Sequence, residues 1–174
     1  EALDNRKYKL KKDMCVISDK SGVLGLGGII GGTTTSTALD TKNILLEAAY
    51  FSPSSIRKTA RALNINTDAK YRFERGIDPN SIKEGLELAT DLILKICGGE
   101  ASKFQITGKV DQKNKIINFQ VEKFEKLIGI SINANEIDKI LSSLGFKCKK
   151  SQKTVKVEVP SWRPDVSLDE DLIE

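Results

Sequence analysis

The stretch that decides the fold of the first half of the chain runs from Asn43 to Pro79 and reads NILLEAAYFSPSSIRKTARALNINTDAKYRFERGIDP. Its first part, Asn43 to Phe51, is continuously apolar apart from one carboxylate, which predicts a strand buried on both faces. Ser52 and Pro53 then have the residue types of a helix N-cap and first helical position. The polar segment Asn64 to Gly76 that follows the helix is predicted to be a return loop.

Glu47 is the carboxylate inside the apolar run. An ionised carboxylate is costly to bury without a partner, so Glu47 is expected to be paired, hydrogen-bonded or turned into a polar pocket. Two interpretations follow from the residues alone. One is an ion pair with an arginine such as Arg57 or Arg72, and the other is a carboxylate that reads a ligand.

The segments on either side of this stretch predict a small sheet and a second helix. Asp19 to Gly22 has hairpin-turn composition, and the glycine-rich segment GLGGIIGG, Gly25 to Gly32, indicates close backbone approach or a tight bulge. Asp78 and Pro79 predict the start of a helix that Gly98 ends. We therefore expect a mainly β sheet covered by two helices.

Composition excludes several kinds of chemistry. The 174 residues include no histidine, which removes the usual base near neutral pH and the imidazole metal ligand. The three cysteines show no Cys-x-x-Cys spacing, which predicts reduced thiols.

No apolar run approaches the roughly 18 residues of a membrane helix, and no signal peptide is evident, so a cytoplasmic protein is expected. The absence of an initiator Met suggests a piece of a longer protein.

A second unit is predicted after a hinge at residues 108–114. A strand at residues 115–120, a short helix ended by Gly129, a helix capped by Asn133 with Glu136, and a hairpin around residues 151–153 follow in order. This order is that of a winged-helix module. The prediction is an α+β protein in which residues 1–108 form a partial sheet covered by helices and residues 109–174 form a small winged-helix-like domain.

Charge is unevenly distributed in this second part. Lys103 to Glu158 holds twelve lysines against six acidic residues, and Asp165 to Glu174 holds five acidic residues and no base. The lysines are consistent with a solvated surface or with contact to a phosphate backbone. Asp165, Asp171 and Glu174 offer the oxygen ligands that magnesium prefers, whereas acidic residues at a helix start also offset the helix dipole.

The segments LLEAAYFSPSSIRKTARAL, TDAKYRFERGIDP and LILKICGGE together resemble the third and fourth modules (B3/B4) of the bacterial phenylalanyl-tRNA synthetase beta subunit. The resemblance implies hydrolytic editing of tyrosine wrongly attached to the tRNA for phenylalanine. It assigns Glu47 as the reader of the tyrosine hydroxyl, and Gly31, Thr67 and Ala69 as residues lining the pocket, with a positioned water and no catalytic side chain. The family site also draws on residues from the earlier half of the module, including a histidine, so this chain is expected to hold only half of the site. The family usually has an acidic residue after the second glycine pair, whereas this chain has the sequence GGTTTST there.

The segments GISINANEIDKILSSLGF, VEVPSWRPDV and EDLIE resemble the fifth module (B5) of the same subunit. The resemblance implies magnesium ligation by Asp165, Asp171 and Glu174 at the interface with an alpha subunit, within an alpha2-beta2 heterotetramer that uses ATP to charge tRNA with phenylalanine. This region alone is expected to be inactive in aminoacylation. Scaffolding between subunits is favoured over a contribution to RNA-backbone contact, and DNA binding is not expected. The alternative for the whole region is a purely structural or RNA-binding interaction module without editing activity.

Overall fold

The computed structural model describes residues 1–110 and 114–174 as two compact units, Glu1–Gly108 and Lys109–Glu174. Each unit combines helices with one small antiparallel sheet. The predicted α+β class is therefore confirmed. The predicted hinge includes residues 111–113, which lie outside the described residues.

The sheet of the first unit has three antiparallel strands in the order β1-β2-β3, namely β1 Val16–Asp19, β2 Gly22–Leu26 and β3 Ile30–Gly31. The side chain of Asp19 accepts a hydrogen bond of 2.7 Å from the backbone N–H of Ser21, which closes the turn between β1 and β2. The hairpin predicted around Asp19 to Gly22 is confirmed.

Helix α1, Pro53–Leu63, packs on this sheet as predicted. Pro53 stands in the first turn, where its missing N–H costs no helical hydrogen bond. Ile56 and Ala60 are buried together with Leu26, Ile29 and Ile65, and these five side chains form the core of the first unit. The helix ends at Asn64, whose φ of 53° lies in the left-handed region.

The predicted buried strand at Asn43 to Phe51 is wrong. The segment forms no strand, and its residues 43–47 are exposed, with Leu45 at 94%. A strand buried on both faces needs a neighbour to satisfy its backbone groups, and no segment among residues 1–110 and 114–174 pairs with this one. Only the end of the run, at Phe51, packs against the core.

The predicted return loop contains a helix instead. Helix α2, Asp68–Phe73, begins at Thr67, and its last turn carries an ion pair of 3.1 Å between Lys70 and Glu74. Thr67 is an N-cap and Asp68 places a negative charge in the first helical turn, so local chemistry favours the helix.

Helix α3, Ile82–Cys97, follows a short 3₁₀ turn whose first residue is Pro79. The carboxylate of Asp78 accepts a hydrogen bond from the N–H of Asn80, as expected of a capping residue. The helix ends at Gly98, with φ of 71°. However, the apolar side chains of Leu92 and Ile96, which a helix covering the sheet would bury, are 57% and 74% exposed, and α3 contributes no buried residue. The prediction of two covering helices therefore holds for α1 and not for α3.

The second unit has the predicted order of elements. Its sheet is antiparallel in the order β4-β6-β5, and three helices accompany it; the bounds are β4 Ile116–Gln120, α4 Val121–Ile128, α5 Ala134–Ser143, β5 Lys147–Lys150, β6 Thr154–Glu158 and α6 Asp169–Ile173. Phe119, Val155 and Val157 of the sheet pack against Ile137 and Leu141 of α5. This unit therefore closes its own apolar core.

Local sequence signals fix the helix ends of this unit. The Asn133 side chain accepts from the N–H of Glu136, whose carboxylate accepts from the N–H of Asn133, so the predicted capping box is confirmed. Gly129 ends α4 with φ of 81°. Within the described ranges, no helix is both long and apolar enough to span a membrane.

Candidate functional site

Three segments of the first unit meet around the ring of Phe51. A Cβ atom at Gly27 would lie 2.6 Å from Phe51 Cε1, and one at Gly28 would lie 2.8 Å from Phe51 Cδ2. Only glycine lets the ring pack this closely against the backbone. The ring of Phe51 also contacts the ring of Phe73 in α2, with ring centroids 5.2 Å apart in an edge-to-face arrangement. The glycine-rich segment, the end of the Glu47 run and α2 are thereby held together.

Thr67 makes a second link between two of these segments. Its Oγ1 donates a hydrogen bond of 2.6 Å to the carbonyl of Ile29 and accepts one of 3.1 Å from the N–H of Lys70. The first bond joins the start of α2 to the glycine-rich segment, and the second caps the helix. One hydroxyl group therefore fixes both the helix start and its position against the segment that carries Gly31.

The predicted pocket residues are brought together in part. Thr67 caps α2 and Ala69 lies in its first turn, but of the two only Thr67 is shown bonded to the glycine-rich segment, through the carbonyl of Ile29. Gly31 pairs with Gly25 across the sheet and lines a cavity of about 100 Å³ that Glu47, Thr67 and Ala69 do not line. A Cβ atom at Gly31 would lie 3.2 Å from Leu3 Cδ1, so the position has little room for a side chain.

Glu47 is exposed. No hydrogen bond or ion pair within residues 1–110 and 114–174 involves its carboxylate, so the pairing with Arg57 or Arg72 considered from the sequence is absent there. Its hydrogen-bond acceptors are open to solvent and available to a ligand. The expectation of a buried carboxylate is wrong because the run that carries it is not a buried strand.

At the acidic end of the second unit, Arg163 binds the carboxylate of Asp165. Its Nε donates to Asp165 Oδ1 at 2.9 Å, and its Nη2 donates to Asp165 Oδ2 at 2.7 Å. This two-point contact holds the pKa of Asp165 below its usual range. The same hydrogen bond raises the pKa of Arg163, and the negative charges of Asp171 and Glu174 add to that effect. All three predicted magnesium ligands therefore act electrostatically on one guanidinium.

Asp171 has a structural role at the start of α6. Its Oδ2 accepts hydrogen bonds of 2.6 Å and 2.8 Å from the N–H groups of Ser167 and Leu168. These bonds lower the pKa of Asp171. This is the helix-start role that the sequence left open as an alternative to metal binding.

The three carboxylates meet one requirement of a magnesium site and miss another. Three carboxylates are the right type of ligand for this ion. Within the described residues, however, no three acidic or thiol side chains lie close enough together to hold a metal. Asp165 already uses both oxygens on Arg163, so it would have to exchange the guanidinium for the ion.

The sequence interpretation did not single out Phe51 or Arg163. Phe51 ends the Glu47 run directly before the helix cap Ser52, and a large apolar ring at that position could have indicated a residue that anchors the run to the core. Arg163 stands two residues before Asp165 in the segment WRPD, a spacing that allows a local two-point contact.

Comparisons with known proteins match both units. The family model of the B3/4 domain matches residues 1–98, and that of the tRNA synthetase B5 domain matches residues 117–174. A protein of Mesorhizobium japonicum is 44% identical over 99% of this chain and 22% of its own length. Proteins of Rhodopseudomonas palustris and Bartonella quintana are 43% and 41% identical over 99% and 100% of this chain, each over 22% of its own length. All three are named phenylalanine–tRNA ligase beta subunit, and the chain spans about a fifth of their length.

Proposed function

Because the chain belongs to the family of phenylalanine–tRNA ligase beta subunits, we propose that it contributes to the hydrolytic removal of tyrosine wrongly attached to the tRNA for phenylalanine. Phenylalanine and tyrosine differ by one hydroxyl, and an apolar synthetic pocket rejects an added hydroxyl only weakly. A second site that binds the hydroxyl corrects this. The observation that supports the proposal is the Thr67–Ile29 hydrogen bond, which holds the segment of Thr67 and Ala69 against the segment that carries Gly31.

Glu47 is the proposed reader of the hydroxyl. Its exposed carboxylate accepts a hydrogen bond from the phenol O–H of tyrosine. Phenylalanine offers no such donor, so its binding would leave the carboxylate desolvated and unpaired. The absence of an ion pair to Glu47 among the described residues supports this role, because no internal cation competes with the ligand.

The proposed reaction uses water as the nucleophile. The water oxygen bonds to the ester carbonyl carbon, the bond from that carbon to the terminal ribose oxygen breaks, and the ribose oxygen takes the proton. We assign to Gly31, Thr67 and Ala69 the shaping of the pocket, and to the terminal hydroxyls of the tRNA the positioning of the water.

The test is deacylation of tyrosyl-tRNA by the complete enzyme carrying Glu47→Ala. Loss of one hydrogen bond to a charged acceptor should slow deacylation roughly 10- to 100-fold while phenylalanine charging stays intact. Glu84→Ala, an exposed carboxylate on α3, is the matched control and should deacylate at the parental rate. Unchanged deacylation in Glu47→Ala would favour the alternative, a module that only braces tRNA or a partner subunit.

The remaining assignments concern the whole protein and rest on the family resemblance, the relatives being named only as beta subunits. We propose that it works in the cytoplasm with an alpha subunit, as an alpha2-beta2 assembly that uses ATP to attach phenylalanine to its tRNA. We further propose that Asp165, Asp171 and Glu174 share a magnesium ion with the alpha subunit. Such an ion would supply positive charge to these three carboxylates, in place of Arg163.

A further inference from the structure

The outward face of the second-unit sheet carries a row of nitrogen-bearing side chains. Along β6, Val155 and Val157 point into the core, so Lys156 between them points outward. Lys156 lies directly opposite Lys149 of β5 on one side and Asn118 of β4 on the other. All three residues are exposed, and together they form a row across the sheet.

Other lysines of the hairpin differ in their surroundings. Lys150 is bound to Asp138 of α5 at 2.8 Å, and Lys147 lies 3.6 Å from Glu158. By contrast, Lys149, Lys153 and Lys156 form no ion pair with any acidic residue in the described part of the chain. We call these three residues the hairpin lysines. Their charge is therefore not neutralised by any acidic residue among those described.

The arrangement of Lys149 and Lys156 is unfavourable in the free protein. Residues directly opposite on neighbouring strands are about 5 Å apart, and like charges there destabilise a sheet. A bound anion between the two ammonium groups would remove that repulsion. Because the row continues to Asn118 and the turn adds Lys153, the surface suits several anionic groups in succession rather than one ion.

We propose that the hairpin lysines and Asn118 bind the phosphate backbone of an RNA strand. Charge complementarity selects a polyanion, and lysine contacts phosphate as a point charge without reading sequence. The outward-facing residues of the three described strands include no aromatic side chain on which bases could stack, so binding is sequence-independent. A membrane surface fits less well, because Ile116 is the single apolar side chain that the outward faces of the three described strands offer for insertion. This binding goes beyond the proposed editing and is independent of it, because it does not involve the amino acid attached to the tRNA.

The test measures binding of a fluorescein-labelled oligouridylate to the 174-residue chain by fluorescence anisotropy over a series of KCl concentrations. In Lys149→Gln/Lys156→Gln, two phosphate contacts are lost, so the slope of log affinity against log salt should shrink by about 1.4 for a single strand. The matched control is Lys126→Gln/Lys139→Gln, which removes the same charge from exposed positions on α4 and α5. It should keep the parental slope.

Each alternative outcome overturns the proposal. The first is that the parental chain does not bind the RNA. The second is that the control variant shows the same decrease in the salt-dependence slope as Lys149→Gln/Lys156→Gln. The third is that polyglutamate displaces the RNA from the parental chain by binding to Lys149 and Lys156. Melting curves of both double variants check the fold. Lys149 and Lys156 point outward, and Lys126 and Lys139 are exposed, so both double variants should melt no lower than the parent, and binding then reports the surface alone.

Discussion

Replacing Thr67 with valine removes one hydroxyl while keeping the branched shape of the side chain. The substitution therefore tests the two hydrogen bonds that join the start of α2 to the glycine-rich segment, without opening a cavity. The Ile29 carbonyl loses its donor, and the N–H of Lys70 loses its acceptor. Thr67→Ser is the matched control, because serine retains both bonds.

The magnitude follows from the two bonds separately. Loss of an N-cap acceptor costs about 1 kcal/mol. Leaving a buried carbonyl without its donor costs about 1 to 3 kcal/mol. Thr67 is half-buried, so water partly replaces the lost groups, and the lower end of the sum applies. We expect Thr67→Val to lower the free energy of unfolding of the first unit by about 2 kcal/mol, a large part of the roughly 5 to 15 kcal/mol typical of a domain.

The assay can follow the two units separately. All three tyrosines, Tyr8, Tyr50 and Tyr71, lie in the first unit, and the single tryptophan, Trp162, lies in the second. Urea unfolding followed by tyrosine fluorescence should shift to lower urea in Thr67→Val, while tryptophan fluorescence stays unchanged. Equal midpoints for the valine and parental proteins, or equal losses for valine and serine, would refute the assigned role of the hydroxyl.

Two further predictions concern carboxylates. Hydrogen bonds from Ser21 lower the pKa of Asp19, so the stability they contribute is present above the unfolded pKa of about 4 and is lost as pH falls through the lower folded value. Asp19→Asn should therefore show a weaker acid-induced loss of stability in urea unfolding, and an unchanged profile would contradict this. The magnesium proposal predicts that Glu174→Gln lowers the magnesium content of the dialysed heterotetramer, measured by atomic emission. Its control, Glu170→Gln, should not, because Glu170 pairs with Lys123; equal contents in both would contradict the ligand assignment.

The second unit was predictable because its signals are local and its core is complete. Asn133 with Glu136 and the glycine at position 129 specify helix ends within a few residues of the chain. The alternation along β6 matches a sheet with one face on the core, and the partners of Val155 and Val157 lie in the same unit. Sequence periodicity and the observed packing therefore agree.

The first unit was harder to predict because some of its apolar residues have no partner among those described. The run at residues 44–46 has the composition of a buried strand, but composition does not supply the neighbouring strand that such a segment requires. The same applies to the face of α3 that carries Leu92 and Ile96. Helix α2 was missed for another reason: the polar character of its sequence concealed the capping signal of Thr67 and Asp68.

Glu47 and Thr67 differ in a way that decides how the editing proposal should be tested. Thr67 stabilises the fold through two hydrogen bonds, so reduced deacylation in a Thr67 variant would not separate a lost pocket contact from a displaced α2. Glu47 is exposed and bonded to no described side chain, so its removal should leave the unfolding of the first unit unchanged. A Glu47→Ala enzyme that unfolds normally and fails to deacylate tyrosyl-tRNA would therefore locate the defect in recognition of the hydroxyl and not in the fold.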